Sequence, residues 1–466
     1  MNLMNFLKKA ISSAVLFFYL IFACLSQCAF AAGDSLYWGA SVTAPDITAD
    51  NAILYNATRD ITLYEKNSED RLYPASTTKV LTVLVIIDAV EKGKITLDET
   101  FAADSSIYYD IGSDGSSADI KPHEVLSVRD HLYCALLVSA NEACNALALH
   151  AYGSYKDFVD AMNNYASSIG CENSHFANTH GMPNRNHYTT ARDLFTIFKK
   201  ALDTPLFAEI CSAKSYDLPK TEFHDARTIY TTNLLLHSDS EYYYEPTLMG
   251  KTGTTTAAGS CLLSAAELDG ERMIAVVMGS DKLTLGDGRT IGGCFKDAQS
   301  LYRWGYDTYD DREFIAAGDE IGTVPVKGGK SDHAAAIFDR SFSMYAPKTD
   351  NMTIDYMTSY NGPFKAPLSR GDIIGSCIIV ADGNTVCEGN LLVKEDVAVS
   401  IADMLRDRWE NEPSFKTSIF VFSGVFIALI AAVCALIILR RKDKKAQAAV
   451  IQPASAPNEA VELQKK

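Results

Sequence analysis

Apolar and polar residues alternate over residues 52–65, on either side of Thr58-Arg59-Asp60, and a period of two broken by a turn predicts a strand hairpin. After Pro74-Ala75 the pattern changes. Ser76–Glu91 is apolar nearly all round, longer than an ordinary strand, and closed by Gly93, which predicts a buried helix. Residues 126–151, rich in Leu and Ala, read as one helix, and 155–169 as another. Tyr242-Tyr243-Tyr244 reads as part of a half-buried strand rather than a stacking patch. From Thr247 to Ser280 the order is strand, Lys-Thr-Gly loop, strand, Asp269-Gly270 turn, strand, and a helical stretch over 296–308 carries Trp304. Strands at both ends of a helical middle predict an antiparallel sheet with helices packed on it, an α+β fold.

Beyond about residue 314 short alternating runs such as Met352–Met357 and Ile373–Val380, in a context of Gly, Thr, Val and Asp, predict a small all-β domain over 315–398. Residues 400–416 form a linker or short helix. Thr417–Leu439 then runs for 23 residues without a charge and meets Arg440-Arg441-Lys442. An apolar run of that length spans a bilayer as a C-terminal transmembrane helix, and the basic flank places 440–466 in the cytoplasm. At the other end, Lys8-Lys9, the apolar run Ala10–Leu25 and Ala29-Phe30-Ala31 predict a cleaved signal peptide over 1–31. Lipidation at Cys28 is the rival reading, and Gln27 just before it argues against that. The organisation expected is therefore leader, main domain over 35–312, β domain, and anchor, in a single-pass protein of the cell membrane whose globular part is extracytoplasmic.

Charge changes the picture next. Residues 32–416 carry 33 basic and 55 acidic residues, a balance of −22, which excludes nucleic acid as a general partner. Eight cysteines lie in the exported part, at 134, 144, 171, 211, 261, 294, 377 and 387, with no C-x-x-C and no metal-site spacing. Neither metal nor organic cofactor is implied. Cys377 and Cys387 flank the Asp382-Gly383 turn; a two-residue loop puts them on opposite faces and a three-residue loop side by side, and the sequence leaves both open.

The candidate chemistry lies in three short motifs in fixed order: Ser76-Thr77-Thr78-Lys79, Ser139-Ala140-Asn141 and Lys251-Thr252-Gly253. Ser76 and Lys79 are three apart on one helix face, so an amine reaches a hydroxyl, and a serine at a helix N-terminus lies beside free N–H groups. Alone, Ser76 would pass as an N-cap and Lys79 as a surface lysine. The run Val80–Ile87 makes that helix buried, however, and a lysine in a buried helix has its pKa lowered by desolvation, which suits a general base. Ser139-Ala140-Asn141 ends the apolar stretch Leu132–Val138, where a core element meets a cleft; Ser139 is placed to relay a proton and Asn141 to hold Lys79 or a substrate amide. Lys251, Thr252 and Thr254 offer a charge and two hydroxyls to a carboxylate, and Gly253 allows close approach of a substrate backbone to the strand edge. Ser359-Tyr360-Asn361 repeats the Ser-x-Asn pattern after Lys-Thr-Gly and inside the β domain, which rules it out on order and place. His180 with Asp193 could suggest a serine–histidine–aspartate triad, but Gly181 and Pro183 mark a turn there and Lys79 already fills the role of base.

With these motifs, the Pro74-Ala75 context, and the stretches Asn178–Pro183 and His187–Leu194, the chain resembles the serine-type D-Ala-D-Ala carboxypeptidases, the low-molecular-mass penicillin-binding proteins. The resemblance runs from about residue 35 to the end of the β domain. It implies a penicillin-binding, β-lactamase-like transpeptidase domain followed by a β domain and a C-terminal membrane attachment. Carried over by motif, it implies Ser76 as nucleophile, Lys79 as general base, Ser139 and Asn141 in the cleft, and Lys251, Thr252 and Thr254 on the terminal carboxylate. It also implies an oxyanion hole from the backbone N–H groups of Ser76 and Thr254, peptidoglycan stem peptides ending in D-Ala-D-Ala as substrate, and β-lactams as covalent inhibitors. The chain departs from some relatives at Thr254, where they carry histidine, and in having a full membrane span where many use an amphipathic helix. A β-lactamase would need a deacylating glutamate, and none of Glu142, Glu172, Glu209, Glu222, Glu241 and Glu245 begins an E-x-x-L-N-like motif. The motifs do not separate carboxypeptidase from transpeptidase, and a non-catalytic cell-wall scaffold would have been expected to lose Ser76, Lys79 or Lys251.

Overall fold

The computed structural model describes residues 42–112, 115–284, 290–349 and 351–449, so the leader expected over 1–31 lies outside the described residues. The chain divides into two compact units, the first built on the chain up to Arg312 with Ser343–Ile354 and Ala381–Asn384, the second on the remainder.

The first unit is a sheet between helical layers. Its strands are β1 (Asn51–Asn56), β2 (Ile61–Lys66), β3 (Thr247–Thr255), β4 (Gly259–Leu268) and β5 (Glu271–Ser280). They run antiparallel in the order β2-β1-β5-β4-β3, which leaves β3, the Lys-Thr-Gly strand, at the edge. Side chains alternate between the two faces as period two requires. Ile53, Leu263, Ile274 and Val276 enter a core with the helices α1 (Thr78–Glu91), α2 (Val128–Leu136), α3 (Asn141–Tyr152), α4 (Tyr155–Ser168), α5 (Ala191–Leu202) and α6 (Pro205–Ser212). Leu54, Leu262, Met273 and Val277 enter a second core with α7 (Cys294–Thr308). Helix α1 is central: Thr78–Ile87 is buried without a break, Lys79 included, as expected of a helix apolar all round.

Three expectations need correction. Lys251-Thr252-Gly253 is not a loop but lies within β3, where it pairs with Leu263, Leu262 and Cys261 of β4. Residues 126–151 are not one helix; α2 and α3 are separated by residues 137–140, where Ser139 takes a left-handed φ of 63° and Ala140 is extended. Apolar composition continues across the break, so periodicity does not register it. Tyr242-Tyr243-Tyr244 is irregular chain before β3 rather than a strand. Its burial comes from packing on α7, with Tyr244 stacked on Tyr302 at 5.7 Å and the Tyr242 carbonyl accepting from Gln299 Nε2 at 2.8 Å.

The second unit is an all-β domain followed by helices. Strands β6 (Glu320–Lys327), β7 (His333–Phe338), β8 (Ile354–Tyr360), β9 (Phe364–Lys365), β10 (Ile373–Ala381) and β11 (Asn384–Val393) form one sheet in the order β8-β10-β11-β7-β6-β9. Val324, Val326, Phe338, Ile379, Leu391 and Val393 are buried in it. Helix α8 (Ile401–Asn411) precedes α9 (Pro413–Ala449), whose stretch Pro413–Lys444 is long and apolar enough to cross a membrane and is not buried by protein. All eight cysteines of residues 134–387 are free thiols, seven buried and Cys387 half-buried, so Cys377 and Cys387 are not joined.

Candidate active site

Ser76 sits in a 3₁₀ turn, Ala75–Thr77, that runs directly into α1 and presents its hydroxyl beside the first turn of that helix. Lys79 is wholly buried there. Its Nζ lies 2.8 Å from Ser76 Oγ, 2.7 Å from Asn141 Oδ1 and 2.8 Å from the His180 carbonyl oxygen. Three acceptors for three ammonium donors leave no buried N–H unpaired, which is how a core tolerates this side chain. Burial nevertheless pulls the Lys79 ammonium down to about 8, with nearby Cys144 and Glu142 acting in the opposite sense.

The break between α2 and α3 places the second motif. Left-handed Ser139 turns the chain so that Asn141 begins α3 facing Lys79, and the Asn141 N–H donates to the Ser116 carbonyl at 2.9 Å. Lys251, on β3, is also fully buried; its Nζ donates to Ser139 Oγ at 3.0 Å and to the Thr252 carbonyl at 2.9 Å. Burial first, and the charge of Lys79 second, bring the Lys251 ammonium down to about 7. The three motifs thus converge on two buried amines, one bonded to Ser76 and Asn141, the other to Ser139.

The remaining predicted residues line the same region. Thr254 is exposed on the wall of a cleft of about 280 Å³ that also meets Ser76, Asn141, Gly181 and Met182. Thr252 directs its hydroxyl to Thr232, 2.6 Å away. At Gly253 an added Cβ would come within 3.1 Å of both the Ser76 and Thr77 backbone nitrogens, so the glycine lets β3 pass tightly over the serine turn. That close approach is within the protein, a role the sequence reading had given only to the substrate.

Several residues play parts at the site that the motifs do not mark. Glu142, buried at the start of α3, accepts from Ser117 Oγ and the Ala118 N–H, both at 2.7 Å, and so ties the cleft-edge segment to the helix that carries Asn141. It contributes negative charge near Lys79 and does not line the cleft. His180 acts through its carbonyl, which any residue could supply, so no side-chain pattern marks it. Its ring is buried, with Nδ1 accepting from the Met182 N–H at 3.2 Å, and burial holds it neutral, down to about 3. Asp193 is occupied elsewhere, accepting from the Asn173 N–H at 2.9 Å and Ser174 Oγ at 2.6 Å. Gly181, at φ 93°, seats the serine turn: a Cβ there would lie 1.8 Å from the Ala75 carbonyl oxygen.

Both parts of the chain have known relatives. Residues 39–282 match the family described as D-alanyl-D-alanine carboxypeptidase, and residues 309–399 match the C-terminal domain of penicillin-binding protein 5. The chain is 28% identical over 380 residues to the D-alanyl-D-alanine carboxypeptidase DacA of Haemophilus influenzae, spanning 81% of this chain and 91% of that one. It is 27% identical over 352 residues to DacF of Bacillus subtilis, spanning 75% and 86% respectively. Among solved structures, penicillin binding protein 5 from Haemophilus influenzae has a TM-score of 0.54 at 28% identity, over 77% of this chain and 99% of that one.

Proposed function

We propose, from the premise that this chain belongs to the D-alanyl-D-alanine carboxypeptidase family and is a serine-type carboxypeptidase, that it removes the terminal D-Ala of peptidoglycan stem pentapeptides through an ester on Ser76. The observation that carries the reading is Lys79: a fully buried amine held 2.8 Å from Ser76 Oγ, with its pKa brought down towards neutrality. Ser76 Oγ attacks the carbonyl carbon of the D-Ala-D-Ala amide as its proton passes to neutral Lys79. Developing negative charge on the carbonyl oxygen meets the backbone N–H groups of Ser76 and Thr254. The tetrahedral intermediate collapses as Ser139, bonded to Lys251, relays a proton to the leaving amine. D-Ala departs, and water then cleaves the ester.

Lys251, Thr252 and Thr254 receive the substrate's terminal carboxylate in this reading. Two buried ammonium groups repel each other, so the pair favours holding one proton rather than two. An arriving carboxylate draws that proton to Lys251 and leaves Lys79 as the free base, which links recognition of the C-terminus to activation of the nucleophile.

A β-lactamase on the same fold needs a carboxylate to activate the hydrolytic water. Among the described residues the cleft wall carries none, and Glu142 faces the 117–118 segment. Without such a carboxylate an ester of Ser76 with a β-lactam is expected to persist. The apolar stretch Pro413–Lys444 supports membrane anchorage, and Arg440-Arg441-Lys442 supports a cytoplasmic C-terminus with the enzyme outside.

The test is intact-mass spectrometry with benzylpenicillin over time, beside Ser76→Ala. A long-lived adduct on the wild type alone is the expected outcome. A rapidly vanishing adduct with drug consumption would mean a β-lactamase, and no adduct on a folded protein would mean a scaffold.

A further inference from the structure

The residue that presents Ser76 is itself held in an uncommon conformation. Ala75 has a φ of 48°, the left-handed region that a residue with a Cβ seldom adopts, and such a conformation persists only where its surroundings over-determine it. Its carbonyl oxygen is fixed by the Thr78 backbone N–H, by Thr78 Oγ1 at 2.8 Å, and by the close seat of Gly181.

The Thr78 hydroxyl is in turn bonded to His187 Nε2, 2.9 Å away and 109 residues on in the chain. The direction of every bond in this line follows from its far end. The Ala177 N–H donates to His187 Nδ1 at 3.2 Å, so Nδ1 is the unprotonated nitrogen and Nε2 carries the hydrogen. Nε2–H therefore donates to Thr78 Oγ1, and the Thr78 hydroxyl hydrogen is left to donate to the Ala75 carbonyl. Ala75, Thr78 and His187 are all buried, so no solvent competes for these bonds. Phe176 meets the imidazole edge-on at 5.5 Å and fixes the ring plane. Burial, together with the charges of His175 and Lys79, disfavours the imidazolium that would abolish the Nδ1 acceptor.

We propose that His187 is a positioning residue for the acyl-transfer reaction: through Thr78 it locks the left-handed Ala75 and so sets the direction in which Ser76 presents its hydroxyl to Lys79. This rests on the reading of Ser76 as nucleophile. It assigns work to two positions, 78 and 187, that touch neither substrate nor Lys79 Nζ.

Two replacements separate positioning from simple packing, because each keeps one nitrogen's place. Gln at 187 reaches as far as Nε2 and can still donate to Thr78. Asn reaches only as far as Nδ1, so it keeps the bond to Ala177 and loses Thr78. The measurement is acylation of the full-length protein in detergent by a fluorescent penicillin, resolved into a limiting rate and a half-saturating concentration, with Ser76→Ala as blank. His187→Asn and Thr78→Val are each expected to lower the limiting rate at least about tenfold, since small misplacement of a reacting group is costly, with half-saturation unchanged. His187→Gln stays within about threefold of wild type, and the His187→Asn/Thr78→Val double variant is no slower than either single variant.

The proposal is overturned if His187→Gln is as slow as His187→Asn, if Thr78→Val acylates at the wild-type rate, or if the two single losses multiply in the double variant. Should His187→Asn not fold, Thr78→Val against His187→Gln decides alone. A wild type that labels no better than Ser76→Ala removes the nucleophile reading itself, a result distinct from normal labelling that the 78 and 187 variants leave untouched.

Discussion

Lys79 joins an energetic cost to the proposed role of general base in a single residue. Its ammonium is taken wholly out of water and given three oxygen acceptors, yet its pKa still falls to about 8 because fixed partners do not fully replace solvation. A base is active when unprotonated, so the ratio of limiting acylation rate to half-saturating penicillin concentration, which reports the groups of the unbound protein, should rise with pH towards about 8 as Lys79 loses its proton. Affinity should move the other way, weakening as Lys251 loses its proton above about 7 and with it the charge offered to a carboxylate. A pH series of that ratio checks both limbs as a bell-shaped profile centred between about 7 and 8; a profile with no rising acid limb would remove Lys79 as base. Lys79→Ala should lower the same rate by about 10²–10⁴, the usual worth of general-base help. The lowered pKa was legible in the sequence, because Val80–Ile87 has no polar face to turn outward. The His180 carbonyl that helps to hold the amine was not, since a backbone oxygen 101 residues away has no signature of its own.

At the level of elements, the cleft is made where two helices begin and along the open edge of the sheet. The serine lies in a 3₁₀ turn before α1, the Ser-Ala-Asn motif in the gap between α2 and α3, and Lys-Thr-Gly on the edge strand of the sheet. Ala and Leu persist around that gap and predict continuous helix across it; the left-handed Ser139 and extended Ala140 break it. Two glycines allow these elements to meet. Gly181→Ala would drive a Cβ to 1.8 Å from the Ala75 carbonyl oxygen and would also force a side chain into φ 93°, so the turn or the 178–183 segment must move. The expected outcome is a loss of about 2–3 kcal/mol in denaturant unfolding, together with loss of penicillin labelling. A stable, fully labelled Gly181→Ala protein would contradict the seating described here.

For the whole molecule, every residue assigned to the reaction lies between positions 76 and 254, while the apolar helix lies at Pro413–Lys444. Full-length protein should sediment with membranes and resist high-salt extraction. A chain ending at Glu412 should be soluble and acylate at a rate within about twofold of the full-length value, because no group in the anchor enters the chemistry. Retention of the truncated chain in membranes would show a second attachment. Reaction class, α+β character and the long apolar C-terminal helix are legible in residue order alone, because each is written in local spacing: a lysine three residues after a serine, a period of two or of 3.6, and 23 residues without charge. What holds those groups in place is set by packing between distant segments. The Ala75 conformation, the carbonyl on Lys79 and the His187–Thr78 bond join segments about a hundred residues apart, through backbone atoms and hydroxyls whose partners depend on packing.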